Sequence, residues 1–133
     1  ELELIARNEF PFQDGWIINS SETPVDLVKG LPNVKGITMN TVSGNQGNIE
    51  KLVSKFHPDI ESMEGAAFMF CCRKESIPFL QLRTISNYVE KRNKSSWNIP
   101  LAIKNLNAVA TRLLEELLDD ARLEARRTKH DEQ

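Results

Sequence analysis

The stretch from Asp59 to Asn87 (DIESMEGAAFMFCCRKESIPFLQLRTISN) most constrains what this chain can fold into. Asp59–Met63 is a short extended run after His57-Pro58. Glu64–Glu75 carries small and apolar residues suited to a buried helix. Pro78–Ile85 places Phe79, Leu80, Leu82 and Ile85 in a second strand. Two strands joined by a helix pair in parallel, because a parallel neighbour needs a long crossover. A similar step precedes it. Val34–Ser43 (VKGITMNTVS) holds the β-branched Ile37, Thr38, Thr41 and Val42, which suit a pleated surface. Gly44–Gly47 follows as a loop, and Asn48 is placed to cap a helix over Ile49–Phe56. Ile49, Leu52, Val53 and Phe56 fall on one face of that helix. The sequence therefore predicts an α/β fold built from two consecutive βαβ steps. In open sheets of this kind, ligands sit beyond the carboxyl ends of the strands. Met63-Glu64 and Ser86-Asn87 stand at two such ends.

The flanks are less regular. Asn8–Gly15 reads as a loop with turn residues and two phenylalanines, and Trp16–Ile18 as a short strand. A helix is expected over Pro24–Lys29, stopping at Gly30. Asn87–Ile99 is a polar loop, and loops of that length are usually functional or mobile. Pro100 opens a last helix with Leu101, Ile103, Leu106, Val109, Leu113, Leu114 and Leu117 at helical spacing. After Leu118 the chain turns almost wholly charged, which suits a solvated helical extension or a tail with too little apolar surface to pack. Glu1 lies inside an apolar-polar pattern with Leu2, Leu4 and Ile5, which reads as part of a longer protein.

Composition excludes several function classes. With 133 residues, 40% hydrophobic and 27% charged, the chain suits one soluble domain with a core. The net charge of −2 gives no basic balance for nucleic acid. No apolar run is long enough to span a membrane, and no signal segment opens the chain, so a cytoplasmic location is expected. Cys71 and Cys72 are adjacent, badly placed to pair with each other, and fit no metal spacing. They read as reduced thiols in a buried helix, and no metal or cofactor is expected.

Glu64 has two readings. At the first turn of a helix a carboxylate can simply complement the dipole. It can also accept from two neighbouring hydroxyls, as the 2′ and 3′ positions of a ribose require, because an ionised carboxylate has acceptors only. Met63 is core, or an apolar face for that sugar. Asn87 is a turn residue, or a carboxamide facing a 6-oxopurine. Such a base offers acceptors at O6 and N7, and an amide both donates and accepts. Ser86 could orient that amide. The loop Ser43-Gly44-Asn45-Gln46 allows close backbone approach at Gly44. Lys91, Arg92 and Lys94 form a small basic cluster, solvated or facing a ligand.

Ser62-Met63-Glu64-Gly65-Ala66-Ala67 and Arg83-Thr84-Ile85-Ser86-Asn87, at this separation, resemble the nucleoside phosphorylase / 5′-methylthioadenosine nucleosidase superfamily. Within it, ISNYVEKRN followed by WNIPLAIKNLN, with NEFPFQDGW near the start, is most similar to the futalosine hydrolases of menaquinone biosynthesis. The resemblance covers about Asn8–Leu117. It implies a three-layer α/β/α phosphorylase-like fold around a mixed, largely parallel sheet, of which this chain is an N-terminally truncated part. Residues 1–118 would be the C-terminal portion of that domain and 119–133 a charged extension.

By the same resemblance, Met63 and Glu64 hold the ribose and Asn87 stands where adenine-specific nucleosidases use Asp. Gly44, Asn45 and Gln46 line the base pocket, and Ser86 and Ser62 flank the site. The implied substrate is a small nucleoside, futalosine, cleaved to hypoxanthine and dehypoxanthine futalosine. Lys91 or Arg92 would meet the carboxylate at its far end. A homo-oligomer is implied for the full-length protein. Two departures from the family pattern stand out. Ser62 occupies a position where many members carry Glu, and the half expected to supply the water-activating acid matches nothing in residues 1–133, so this chain alone would be inactive. A phosphorylase, a methylthioadenosine nucleosidase or a non-catalytic nucleoside-binding remnant are the alternatives.

Overall fold

The structure, a computed structural model, describes residues 6–19 and 29–131. It divides into two units. The first takes in Asn33–Gln81, Tyr88–Ser95 and the described part of Glu1–Glu22; the second takes in Leu82–Asn87, Ser96–Gln133 and the described part of Thr23–Pro32. The helix expected over Pro24–Lys29 lies outside the described residues except at Lys29.

In the first unit, β1 (Gly36–Thr38), α1 (Gln46–Phe56) and β2 (Ile60–Ser62) form the expected βαβ step, followed by α2 (Gly65–Lys74). β1 and β2 pair in parallel, with Gly36 opposite Ile60, Ile37 opposite Glu61 and Thr38 opposite Ser62. Both strands are shorter than the sequence suggested. The Asp59 and Ile60 amides donate to Lys35 O at one end of the ladder, and Met39 N donates to Ser62 O at the other. α1 starts at Gln46, three residues before the expected start, because Asn45 is the cap. Its backbone is extended (φ −103°, ψ 121°) and its side chain accepts from Asn48 N. The helix stops at His57, left-handed at φ 45°, whose amide donates to Val53 O. Pro58 follows and cannot continue the helix.

α2 depends on the strands for its start. The Glu64 side chain makes no capping bond. Instead Gly65 N donates to Ser62 Oγ at 3.3 Å and Ala66 N to Thr38 Oγ1 at 2.8 Å. Two orphan donors of the first turn are thus satisfied from the ends of β2 and β1. The helix ends in a Schellman arrangement. Ile77 N bonds Cys72 O at 2.9 Å, Ser76 N bonds Arg73 O at 3.3 Å, and Ser76 is left-handed at φ 56°.

The expectation of a buried α2 with core thiols is corrected. Gly65 is its one buried residue, Phe68 is exposed, and Cys71 is exposed beside a half-buried Cys72. The physical reason is the width of the sheet. Two strands cannot enclose a helix, and α2 packs on β1 and on a few aromatic side chains from irregular segments.

Aromatic side chains from the loop before β1 cover part of both helices. Trp16 meets Phe56 edge-on with ring centroids 6.4 Å apart, and Phe12 meets Phe70 at 6.0 Å. Arg73 and Lys74 lie over the Phe10 ring. The strand expected at Trp16–Ile18 reduces to a bridge between Gln13 and Trp16, closed by Asp14 (φ 50°) and Gly15 (φ 82°). Both central residues left-handed give the tight turn that Asp-Gly favours.

The strand expected at Pro78–Ile85 has no regular structure, so the second βαβ step is incomplete: the described sheet has two strands. Side-chain amides serve this region in place of a ladder. Asn19 Nδ2 donates to Phe79 O, and Gln81 Nε2 to Gly65 O. Phe79 itself is buried, edge-on against Phe68 at 5.7 Å.

In the second unit, Asn98 caps α3 (Ile99–Asp131), accepting from Leu101 N with its side chain and from Ala102 N with its carbonyl. Leu82–Asn87 is tied to the start of this helix: Thr84 Oγ1 donates to Ala102 O at 2.8 Å and Asn98 N to Ser86 O at 2.8 Å. α3 continues past Leu118 without a break, since the charged run is rich in strong helix formers. Leu114, Leu117, Leu118 and Leu123 are exposed on it. Among the described residues, no helix is long and apolar enough to cross a membrane.

Two substitutions test these helix ends. Thr38→Val should destabilise the protein by about 1 kcal/mol in urea unfolding, because Ala66 N loses its acceptor. Ser76→Gly should stabilise it by about 1 kcal/mol, because glycine accepts the left-handed position without strain.

Candidate active site

Since β1 and β2 run in parallel, their carboxyl ends share one edge of the sheet. The chain leaving β1 there begins at Met39, and the chain leaving β2 at Met63 and Glu64. Met63 and Glu64 are exposed. Because Thr38 and Ser62 cap α2, the Glu64 carboxylate stands at the positive end of a helix without serving as its cap. Ser62, expected beside the substrate, has its hydroxyl engaged with Gly65 N and within 3.5 Å of both Thr38 Oγ1 and Ile37 O.

The neighbouring residue explains the shape of the other loop. Glu61 points to the opposite face of β2 from Ser62, and its Oε1 accepts from Ser43 N at 2.8 Å. That charge-assisted bond pins the segment after β1. No local pattern signals this bond, because the partners lie 18 positions apart and one of them is a backbone amide. Gly44 follows. A Cβ there would lie 3.1 Å from Arg92 Cβ and 3.7 Å from Arg92 N, so a side chain at 44 would require the polar loop to give by a few tenths of an ångström. Arg92 N reaches Gly44 O at 3.4 Å.

The contact closes one side of an open cleft of about 540 Å³. Met39, Val42 and Leu52 give it apolar surface, Thr41, Ser43, Asn45 and Asn48 give polar groups, and Lys51 and Arg92 give two positive charges beside Gly44. Of the loop residues expected at a binding site, Gly44 and Asn45 line the cleft and Gln46 does not. Gln46 Nε2 instead donates to Glu50 Oε1 one helical turn away, at 3.0 Å. Lys51 drew no attention in the sequence, where it reads as an ordinary solvated helix residue.

Ser86 and Asn87 belong to the second unit. Ser86 Oγ donates to Asn87 Oδ1 at 2.7 Å, and both side chains are half-buried. The hydroxyl thereby fixes which end of the amide is oxygen and turns the NH₂ end the other way. The Ser86 carbonyl is itself held by Asn98 N, so this pair is positioned by the start of α3. Among the described residues, no group of three His, Cys, Asp or Glu side chains could hold a metal ion.

Comparison with known proteins adds a family. The phosphorylase superfamily matches residues 31–118 of this chain. The futalosine hydrolase of Thermus thermophilus is 32% identical over 87 residues, covering 65% of this chain and 39% of that protein. The futalosine hydrolase of Acidothermus cellulolyticus is 31% identical over 92 residues, covering 68% of this chain and 38% of that protein. The chain thus spans less than two fifths of the length of the curated relatives it matches. No solved structure gives a significant match.

The role of Glu61 is open to a direct check. Glu61→Ala should raise hydrogen exchange at the Ser43 amide by about tenfold, with little change at Ile49 in α1, as expected for losing one charge-assisted bond. Equal acceleration at both amides would mean that Glu61 supports the whole unit, not the loop.

Proposed function

The chain belongs to the phosphorylase superfamily, and on that premise we propose that its protein hydrolyses the N-ribosidic bond of a 6-oxopurine nucleoside. The substrate we assign is futalosine, cleaved to hypoxanthine and dehypoxanthine futalosine, a step of menaquinone biosynthesis. We place β1 and β2 in the largely parallel sheet of a three-layer α/β/α domain, in a cytoplasmic homo-oligomer that needs no cofactor.

The observation that carries this reading is the division of labour at the start of α2. Thr38 and Ser62 satisfy the helix, so the Glu64 carboxylate is not consumed as a cap. Its two oxygens suit the 2′ and 3′ hydroxyls of a ribose, and Met63 offers an apolar face to the sugar ring. As the bond between C1′ and N9 breaks, positive charge grows on the ribosyl ring, as in other glycoside cleavages. Glu64 stabilises that charge through the hydroxyls it holds. The electron pair of the bond leaves with the base. Asn87, its amide oriented by Ser86, donates to the departing purine and draws off its charge. Water adds to C1′, leaving a ribose hydroxyl, and the proton it gives up balances the one the departing purine takes on to become neutral hypoxanthine.

An amide at position 87 also bears on specificity. It can donate to O6, which an ionised carboxylate cannot, and this favours a 6-oxopurine over adenine. The futalosine hydrolase relatives support the same assignment.

The test is hypoxanthine release by the intact protein from futalosine, inosine and methylthioadenosine, with and without phosphate. Release from futalosine without phosphate is expected. Glu64→Gln and Asn87→Ala should each lower it by roughly a hundredfold or more, as removal of one transition-state contact does. Turnover of inosine only when phosphate is present would make the protein a phosphorylase and overturn the proposal.

A further inference from the structure

α3 carries two apolar faces. On the first, Ala102 is buried and Leu106, Val109 and Leu113 are half-buried. The second lies about a third of a turn around the helix. It holds Leu114 and Leu118, exposed at 59% and 57%. Ala121 and Ala125 follow at the alternating four- and three-residue steps of a coiled-coil seam. The superfamily match ends at residue 118, and α3 runs on to Asp131, about 20 Å further. The seam therefore continues past the part of the chain that the superfamily accounts for.

Charge identifies what covers it. Glu115, Glu116, Asp119 and Asp120 come first along this segment, and Arg122, Arg126, Arg127 and Lys129 come second, with Glu124 as the exception. Two copies laid in the same direction would set acid on acid and base on base. Laid in opposite directions, they set each acidic block on a basic one. The seam fits the same arrangement. With a two-fold axis between Asp119 and Asp120, Leu114 of one copy faces Ala125 of the other, and Leu118 faces Ala121. Large side chains then meet small ones, and the two helices can approach closely. In that register Glu115, on the flank of the seam, comes within an axial offset of about 3 Å of Arg122 in the other copy. The two-fold axis repeats this contact. Arg122 pairs with Asp119 of its own helix at 3.1 Å, but both groups are largely exposed, and such a pair yields readily to a better one.

We propose that the end of α3 pairs antiparallel with the same segment of a second copy of this chain. Leu114, Leu118, Ala121 and Ala125 form the seam, and Glu115 and Arg122 form the ion pairs across it. The contact is centred beyond the superfamily match and involves neither Glu64 nor Asn87. It is thus separate from the assigned reaction and from any assembly of the superfamily domain itself.

Disulfide trapping in the intact protein tests this. Cys71→Ser and Cys72→Ser first remove the native thiols, of which Cys71 is exposed. Leu114→Cys and Ala125→Cys in one chain should then give a covalent dimer on oxidation. Either cysteine alone should give none, because across the axis each lies about 16 Å along the helix from its own copy. Glu115→Arg or Arg122→Glu should each lower the yield by about fivefold, as two ion pairs become two repulsions. The two together should restore it. Circular dichroism checks that the helix is retained throughout. The unaltered seam is read separately. Amides from Leu114 to Leu123 should exchange more slowly at high protein concentration than at low, and Leu118→Glu should abolish the difference.

No covalent dimer together with exchange that ignores concentration would overturn the proposal. So would bridging by a single cysteine, which a parallel pair would give, or a yield indifferent to the charge reversals. Protection of these amides at all concentrations would also overturn it, by giving the face to another part of the same polypeptide. The two readings fail separately. Loss of this contact in a protein that still cleaves futalosine would leave the assigned reaction standing, and a charge-dependent dimer without cleavage would do the reverse.

Discussion

Two hydroxyl groups hold the first unit in its working arrangement. Thr38 Oγ1 and Ser62 Oγ lie side by side at the ends of paired strands, 3.5 Å apart, and between them they take the Ala66 and Gly65 amides. This fixes several things together. The ladder must keep Thr38 opposite Ser62, because a shift of one residue would turn one hydroxyl to the other face. The helix must start at Gly65, directly above both strands. Glu64 is then placed at the helix mouth with its carboxylate uncommitted. The amides of the first turn are thus satisfied by two hydroxyls rather than by the carboxylate beside them.

Glu61 works on the opposite face of the same short strand. Alternation along β2 sends Ser62 toward α2 and Glu61 toward the loop after β1. Three residues therefore serve two tasks. One organises the helix that presents Glu64, and the other organises the segment that carries Gly44 and Asn45. The superfamily position where many members are expected to carry Glu holds Ser62 here, and the structure gives that serine a supporting role in the backbone. Losing a carboxylate at this position removes one possible ligand contact. It supplies a hydroxyl short enough to reach a helix amide three residues on.

The first βαβ step and the family were legible in the sequence because they rest on local signals. Pro58 ends α1, β-branched residues mark β1, and Met63-Glu64 follow the end of β2. What was not legible depends on distant partners. The strand expected at Pro78–Ile85 had the right apolar residues, but a strand is a relation between two backbones, and the described sheet ends at two. The buried character expected of α2 failed for the same reason: apolar composition shows that a face can be buried, not that a layer is present to bury it. The sequence offers Asn48 as the cap of α1, since it directly precedes the apolar run, whereas the structure caps the helix three residues earlier. Geometry decides between them, and the extended backbone falls at Asn45.

The cleft shows the same limit from the functional side. Lys51 and Arg92 lie 41 positions apart, one on a helix and one in a polar loop, and the sequence signals only Arg92 as a candidate to face a ligand. They line one cleft, where Gly44 lies against the Arg92 backbone. A Cβ at 44 would lie 3.1 Å from Arg92 Cβ, so a heavier residue there requires Arg92 to give by a few tenths of an ångström. The glycine thus acts at one remove, through the position of a charge it never touches with a side chain of its own. In such a site, specificity rests as much on the atom that is missing as on those that bind. A substitution at position 44 changes the field in the cleft without changing the number of charges around it.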